Sequence, residues 1–94
     1  MTDTPTSKEQ RQRKLRFRSW HRGMREVDLM LGGFADSQLA SLTDTEIDQY
    51  EQLLETSDTD LLPWLTGETP VPPDTRSVIL DKVMAYCRAA SVQR

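Results

Sequence analysis

One cysteine and one histidine are all this chain offers in thiol and imidazole ligands. Cys87 has no second cysteine to pair with, which fits a reducing compartment. With one Cys and with His21 as the sole imidazole, a protein-only zinc site is implausible, and no metal is expected. Glycine is scarce as well, four residues in 94. None of the four falls in a Gly-x-x-x-x-Gly-Lys or Gly-x-Gly-x-x-Gly loop of the kind that cradles phosphates. The nucleophile elbow and the His-Glu-x-x-His motif are missing too. His21 is the only conventional base near neutral pH, and without a positioned partner it makes no active site. Apolar runs are short, Leu29-Met30-Leu31 being typical, whereas a membrane span takes about 18 residues. Neither membrane insertion nor a secretory leader is expected, and Asp3 and Glu9 argue against a mitochondrial presequence. These absences point to a bacterial cytoplasm.

What is present is a charge asymmetry. Net charge is −3, yet eight of the twelve basic residues lie before Val27, with only three of the fifteen acids. A basic arm on an acidic body calls either for an anionic partner or for attraction between the two halves. Nucleic acid is the first anion to weigh, through Arg11, Arg13, Lys14 and Arg16. The sequence pI of about 5.0 argues against it, since dedicated nucleic-acid domains are strongly basic.

Periodicity is helical throughout. Phe17, Trp20, Met24, Val27, Leu31 and Phe34 recur at alternating steps of three and four, which places all six, Phe17 and Trp20 included, on one apolar stripe. Gly23 predicts a bend between two helices, and Gly32-Gly33 a break or weakening after the second, with Asp36 or Ser37 capping a further turn. Thr43-Asp44-Thr45-Glu46 has the form of a capping box. It opens a helix with Ile47, Tyr50, Leu53 and Leu54 inward and a solvated acidic face. Ser57-Asp58-Thr59-Asp60 starts another, kept short by Pro63 and stopped at Gly67. After a stiff linker at Pro70, Pro72 and Pro73, Asp74 or Thr75 starts a last helix carrying Val78, Ile79, Val83, Met84, Tyr86 and Cys87. Cys87 reads as a small buried hydrophobe and Trp64 as core. No window alternates as a strand would. The predicted fold is all-α, a small bundle of four to five short helices. A disordered tail at 1–7 precedes one domain at 8–91, and 92–94 is a frayed end.

The run Arg22-Gly23-Met24-Arg25-Glu26 stands out. Glycine inside a helix costs about 1 kcal/mol relative to alanine. Arg22 and Glu26, four apart, match a surface ion pair worth about 0.2–0.5 kcal/mol, which accounts for the charges and leaves the glycine unexplained. A docking patch of bare backbone between two charges accounts for all three residues.

The stretch Arg18-Ser19-Trp20-His21-Arg22-Gly23-Met24-Arg25-Glu26-Val27-Asp28-Leu29 resembles the signature of the FAD assembly factors of succinate dehydrogenase, whose hallmark is Arg-Gly-x-x-Glu. Leu42-Thr43-Asp44 with the helix through Tyr50, Leu53 and Leu54 is similar to that family's middle. Asp58-x-Asp60-Leu61 followed by Trp64-Leu65 resembles a further element, here one residue shorter and with Pro63 inside it. The likeness extends from about Lys14 to Ala90. It implies a chaperone-like maturation factor, not an enzyme, that binds the flavoprotein subunit of succinate dehydrogenase, and of fumarate reductase in some bacteria. Such a factor promotes the bond between the flavin 8α-methyl carbon and a client histidine. FAD would then be carried by the client, with no cofactor held stably by this chain, which would act as a monomer and bind no nucleic acid. By the same resemblance Arg22, Gly23 and Glu26 would contact the client, bordered by His21, Met24, Arg25 and Asp28.

Overall fold

In a computed structural model that describes residues 7–92, five α-helices run in the order α1 (Ser7–Trp20), α2 (Arg25–Gln38), α3 (Asp44–Leu53), α4 (Asp58–Thr66) and α5 (Val78–Val92). Single 3-10 turns at Leu39–Ser41 and Pro73–Thr75 join neighbours, and the described residues contain no strand. The all-α expectation holds. Ser7 belongs to α1, while the expectations for 1–6 and 93–94 lie outside the described residues. No helix among them is long and apolar enough to cross a membrane.

α2 is the centre of the packing. Its Val27, Leu31, Phe34 and Ala35 are fully buried, surrounded by Leu15 of α1, Ile47 and Tyr50 of α3, Leu61 of α4 and Ile79, Leu80 and Val83 of α5. Burying side chains of this size stabilises by about 1.5–3 kcal/mol each. The cross-links give the directions. Trp20, Arg16 and Gln12 of α1 meet Asp36, Asp36 and Leu39 in turn, so α1 and α2 are antiparallel. Lys8, Arg11 and Arg18 meet Asp44, Asp48 and Glu55, so α1 runs parallel to α3. Ile79 and Lys82 of α5 meet Gln49 and Glu46, antiparallel to α3.

Several local expectations are realised. Thr43 Oγ1 accepts from the Glu46 N–H at 3.1 Å and Glu46 returns the bond to the Thr43 N–H at 3.0 Å, completing the capping box. Gly67 closes α4 in the left-handed conformation, φ +82°. Cys87 is buried.

Others are corrected. Phe17 is not core: it is 64% exposed, and α1 buries Leu15 and Ser19 instead. Residues 21–24 are non-helical, so the stripe's phase before the break does not carry into α2. Gly32 and Gly33 do not weaken α2, which runs through both. They are small because Trp20 lies on the first and the Tyr86 hydroxyl on the second. Asp36 and Ser37 sit inside α2 and cap nothing. The last helix starts at Val78, not near Asp74, because Ser77 Oγ accepts the Leu80 N–H at 3.1 Å while Pro73–Thr75 forms its own turn. Val78 is exposed, and Trp64 is half-buried at the core's edge.

One polar cluster lies inside the core. Ser19 Oγ donates to the Leu15 carbonyl at 2.7 Å and so accepts from the Tyr50 hydroxyl at 2.6 Å, whose single proton is shared with the Leu31 carbonyl at 3.3 Å. Burial pushes the Tyr50 phenol up to about 12, against the opposing effects of the Ser19 bond and the Arg22 charge. Burial likewise pushes the Cys87 thiol up to about 11. Both groups are neutral at pH 7, and the unfolded chain ionises them near 10 and 9. Unfolding therefore releases protons in alkali, so stability is full below pH 9 and declines as pH rises to about 12. Melting temperatures followed across that range should fall steadily. Tyr50→Phe should flatten the upper half of the decline, at the cost of the hydroxyl's hydrogen bonds.

Candidate functional site

The conspicuous motif occupies the turn between α1 and α2, not a helix interior. Gly23 has φ +117°, a region that side chains strongly disfavour. A Cβ added there would meet only the Asp58 carboxylate, at an ordinary 3.9 Å. Backbone conformation, and not lack of space, is what requires glycine. Met24 follows in an extended conformation as N-cap of α2 and packs against the core.

Arg22 does not pair with Glu26. Its Nε donates to Asp58 Oδ1 at 2.9 Å, and its two terminal nitrogens donate to the carbonyls of Leu54 and Thr56. The side chains of this ion pair are only 10% and 12% exposed. The placement follows from helix electrostatics. Leu54 and Thr56 lie at and beyond the C-terminus of α3, where carbonyls lack helical partners and the dipole is negative. Asp58 opens α4, where the dipole favours a carboxylate. Arg22 thus clamps the motif turn onto the α3–α4 junction, and its own N–H donates to Asp28 Oδ1 at 2.6 Å. From the sequence Asp58 reads only as part of a helix start and of the Asp58-x-Asp60-Leu61 element, with no sign that it is the partner of Arg22. The Asp58-x-Asp60 spacing sets the two acids about 200° apart around the start of α4, and here Asp60 is the exposed one.

Outside this clamp the turn presents side chains to solvent. Arg25 and Glu26 are exposed on the first turn of α2 and make no ion pair with any described residue. His21 is exposed, its ring stacked on Phe17 at 4.0 Å between centroids. Because the Phe17 carbonyl can only accept, the 2.7 Å contact means His21 Nδ1 carries the proton. The structure therefore divides the seven nominated residues. Arg22, Asp28 and Met24 hold the turn from within, Gly23 gives it its shape, and His21, Arg25 and Glu26 face outward.

The basic arm resolves toward attraction between the halves. Lys8, Arg11, Arg16 and Arg18 are each engaged by an acid of α2, α3 or the residues just after α3, leaving Arg13 and Lys14 of α1 without a partner among the described residues. The nucleic-acid adaptor is not supported. A cleft between α2, α4 and α5 measures about 260 Å³ and is lined by Met30, Trp64, Met84, Cys87 and Arg88 among others.

The sequence model of a family described as "Flavinator of succinate dehydrogenase" matches residues 13–87. Among individual proteins, the chain is 35% identical over 78 residues to "FAD assembly factor SdhE" of Acetobacter pasteurianus, covering 83% of this chain and 72% of that one. It is 34% identical to "Succinate dehydrogenase assembly factor 2, mitochondrial" of Dictyostelium discoideum, over 85% of this chain and 57% of the relative. It is 39% identical to the protein of the same name from Meyerozyma guilliermondii, over 74% and 52%. The chain thus spans a little over half the length of these two mitochondrial relatives.

Proposed function

This chain belongs to the succinate dehydrogenase flavinator family, and we propose that it binds the flavoprotein subunit of succinate dehydrogenase and promotes covalent attachment of FAD to a client histidine. Fumarate reductase is a second client in this proposal. The factor acts as a monomer in a bacterial cytoplasm, and the flavin is held by the client and not by this chain.

The supporting observation is the clamped turn. Arg22, Asp58 and Asp28 fix the backbone of 21–24, so Arg25 and Glu26 are offered from a site organised before the client arrives. Preorganisation of this kind reduces the ordering cost of docking. The chemistry then needs only that the client's histidine and flavin be held together. Orientation alone lowers a barrier by several kcal/mol, up to roughly 7–11 in the best intramolecular cases. Glu26 accepts a hydrogen bond or ion pair from the client, and Arg25 donates one beside it.

Acid-stable flavin fluorescence on a denaturing gel tests this reading. The apo flavoprotein subunit is incubated with FAD, with and without the chain and its Glu26→Ala variant. A fluorescent client band should depend on the wild-type chain. Glu26→Ala should weaken docking by about 1–2 kcal/mol, roughly tenfold in the concentration needed, with an unchanged melting temperature. Equal bands with and without the chain would defeat the proposal.

A further inference from the structure

Helical spacing sorts the side chains of α1 into three sets. Leu15 and Ser19 face the core. On the flanks, Lys8, Arg11 and Arg18 pair with acids in or just after α3, while Arg16 and Trp20 reach Asp36 of α2. Gln10, Arg13, Lys14, Phe17 and the following His21 form the remaining stripe, opposite Leu15 and Ser19. All five are exposed. Arg13 and Lys14 have no acid among the described residues, and Phe17 is 64% exposed, stacked on His21 with 16° between ring planes. The fold thus neutralises the flank cations of α1 and leaves two uncompensated on the face that also carries its one exposed aromatic pair.

We propose that this stripe is a second docking surface for the client, and that it receives an acidic protein segment. Arg13 and Lys14 meet carboxylates of that segment, and an apolar side chain covers the Phe17–His21 stack. The proposal rests on the family reading above, because His21 leads directly into Arg22-Gly23 and joins the stripe to the motif turn. Charge complementarity selects the class of partner. The stripe's own two cations, Arg13 and Lys14, can neutralise about two phosphates, which gives a nucleic acid on this face only a shallow salt dependence and weak hold. They are enough to match a pair of carboxylates around an aromatic anchor, the common makeup of a protein interface.

Affinity for the apo flavoprotein subunit, measured at low and at physiological salt, decides the matter. Arg13→Glu with Lys14→Glu should weaken binding about tenfold at low salt and flatten its salt dependence. Phe17→Ser should weaken it about tenfold at both. Neither variant should shift the melting temperature appreciably, since all three side chains are exposed, Arg13 and Lys14 make no ion pair with a described residue, and Phe17 stacks on the equally exposed His21 ring. If both variants bind as the wild type does while Glu26→Ala does not, the stripe is overturned and the motif reading stands. If the wild-type chain fails to bind the subunit, both fall together. Duplex DNA bound by the wild type and lost by the charge-reversed variant, with client affinity unaltered, would overturn the stripe in favour of a nucleic acid.

Discussion

Asp58→Ala is expected to destabilise the fold by about 3–5 kcal/mol, a large share of the roughly 5–15 that a domain possesses. The reason is what remains after the carboxylate is gone. Arg22 keeps two carbonyl partners, Leu54 and Thr56, but its charge stays in a site only 10% exposed with no anion beside it. To reach water the guanidinium must leave the α3–α4 junction, which frees the turn at 21–24. Asp58→Asn keeps an acceptor oxygen and the helix start and loses only the charge, so its cost should be smaller, about 1–3 kcal/mol, the range for a buried group left incompletely satisfied. Thermal or urea unfolding ranks the three proteins. The contrast with Glu26→Ala is the informative part. That exposed change should shift stability by less than about 0.5 kcal/mol while impairing client docking, whereas Asp58→Ala should impair both. An Asp58→Ala protein that melts with the wild type would mean the clamp is not formed in solution.

The clamp also shows where sequence reasoning stops. The capping box was legible because Thr43 and Glu46 answer each other three residues apart, and the Gly67 stop because a left-handed residue after α4 favours glycine. Both are settled within one helical turn. Arg22–Asp58 spans 36 positions, and nothing local distinguishes Asp58 from its exposed neighbour Asp60. The family resemblance drew attention to Arg22, Gly23 and Glu26 as one motif. Only three-dimensional placement separates an inward arginine from an outward glutamate. Phe17 was misplaced for a related reason. A stripe read across a non-helical turn assumes a constant 100° per residue, and Gly23 at φ +117° breaks that count. Ser77 was legible in principle, since a hydroxyl three residues before Leu80 has the spacing of a helix cap, but the proline-rich stretch before it drew the start too early.

Gly32→Ala reverses the usual rule. In an exposed helix interior the change stabilises by about 1 kcal/mol, and α2 is helical on both sides of Gly32. Here a Cβ would lie 2.2 Å from Cδ2 and 2.3 Å from Cε2 of Trp20, far inside van der Waals contact. The indole cannot simply slide away, because its Nε1–H donates to the Asp36 carboxylate at 3.2 Å and its helix is tied to α3 by ion pairs. Overpacking of this kind costs about 1–3 kcal/mol or more, so the expected result is a net loss of stability with altered tryptophan fluorescence. Gly33→Ala should cost less. Its Cβ meets the Tyr86 hydroxyl at 2.6 Å, the far end of a side chain, although the ring's edge-on contact with Phe34 at 5.9 Å limits its swing. Trp20→Ala should remove the penalty of Gly32→Ala, and a double-mutant cycle measures how much. A stabilised Gly32→Ala protein would mean that the indole does not lie on α2. The α1–α2 hairpin, and with it the turn that presents Arg25 and Glu26, would then need another account of its close packing.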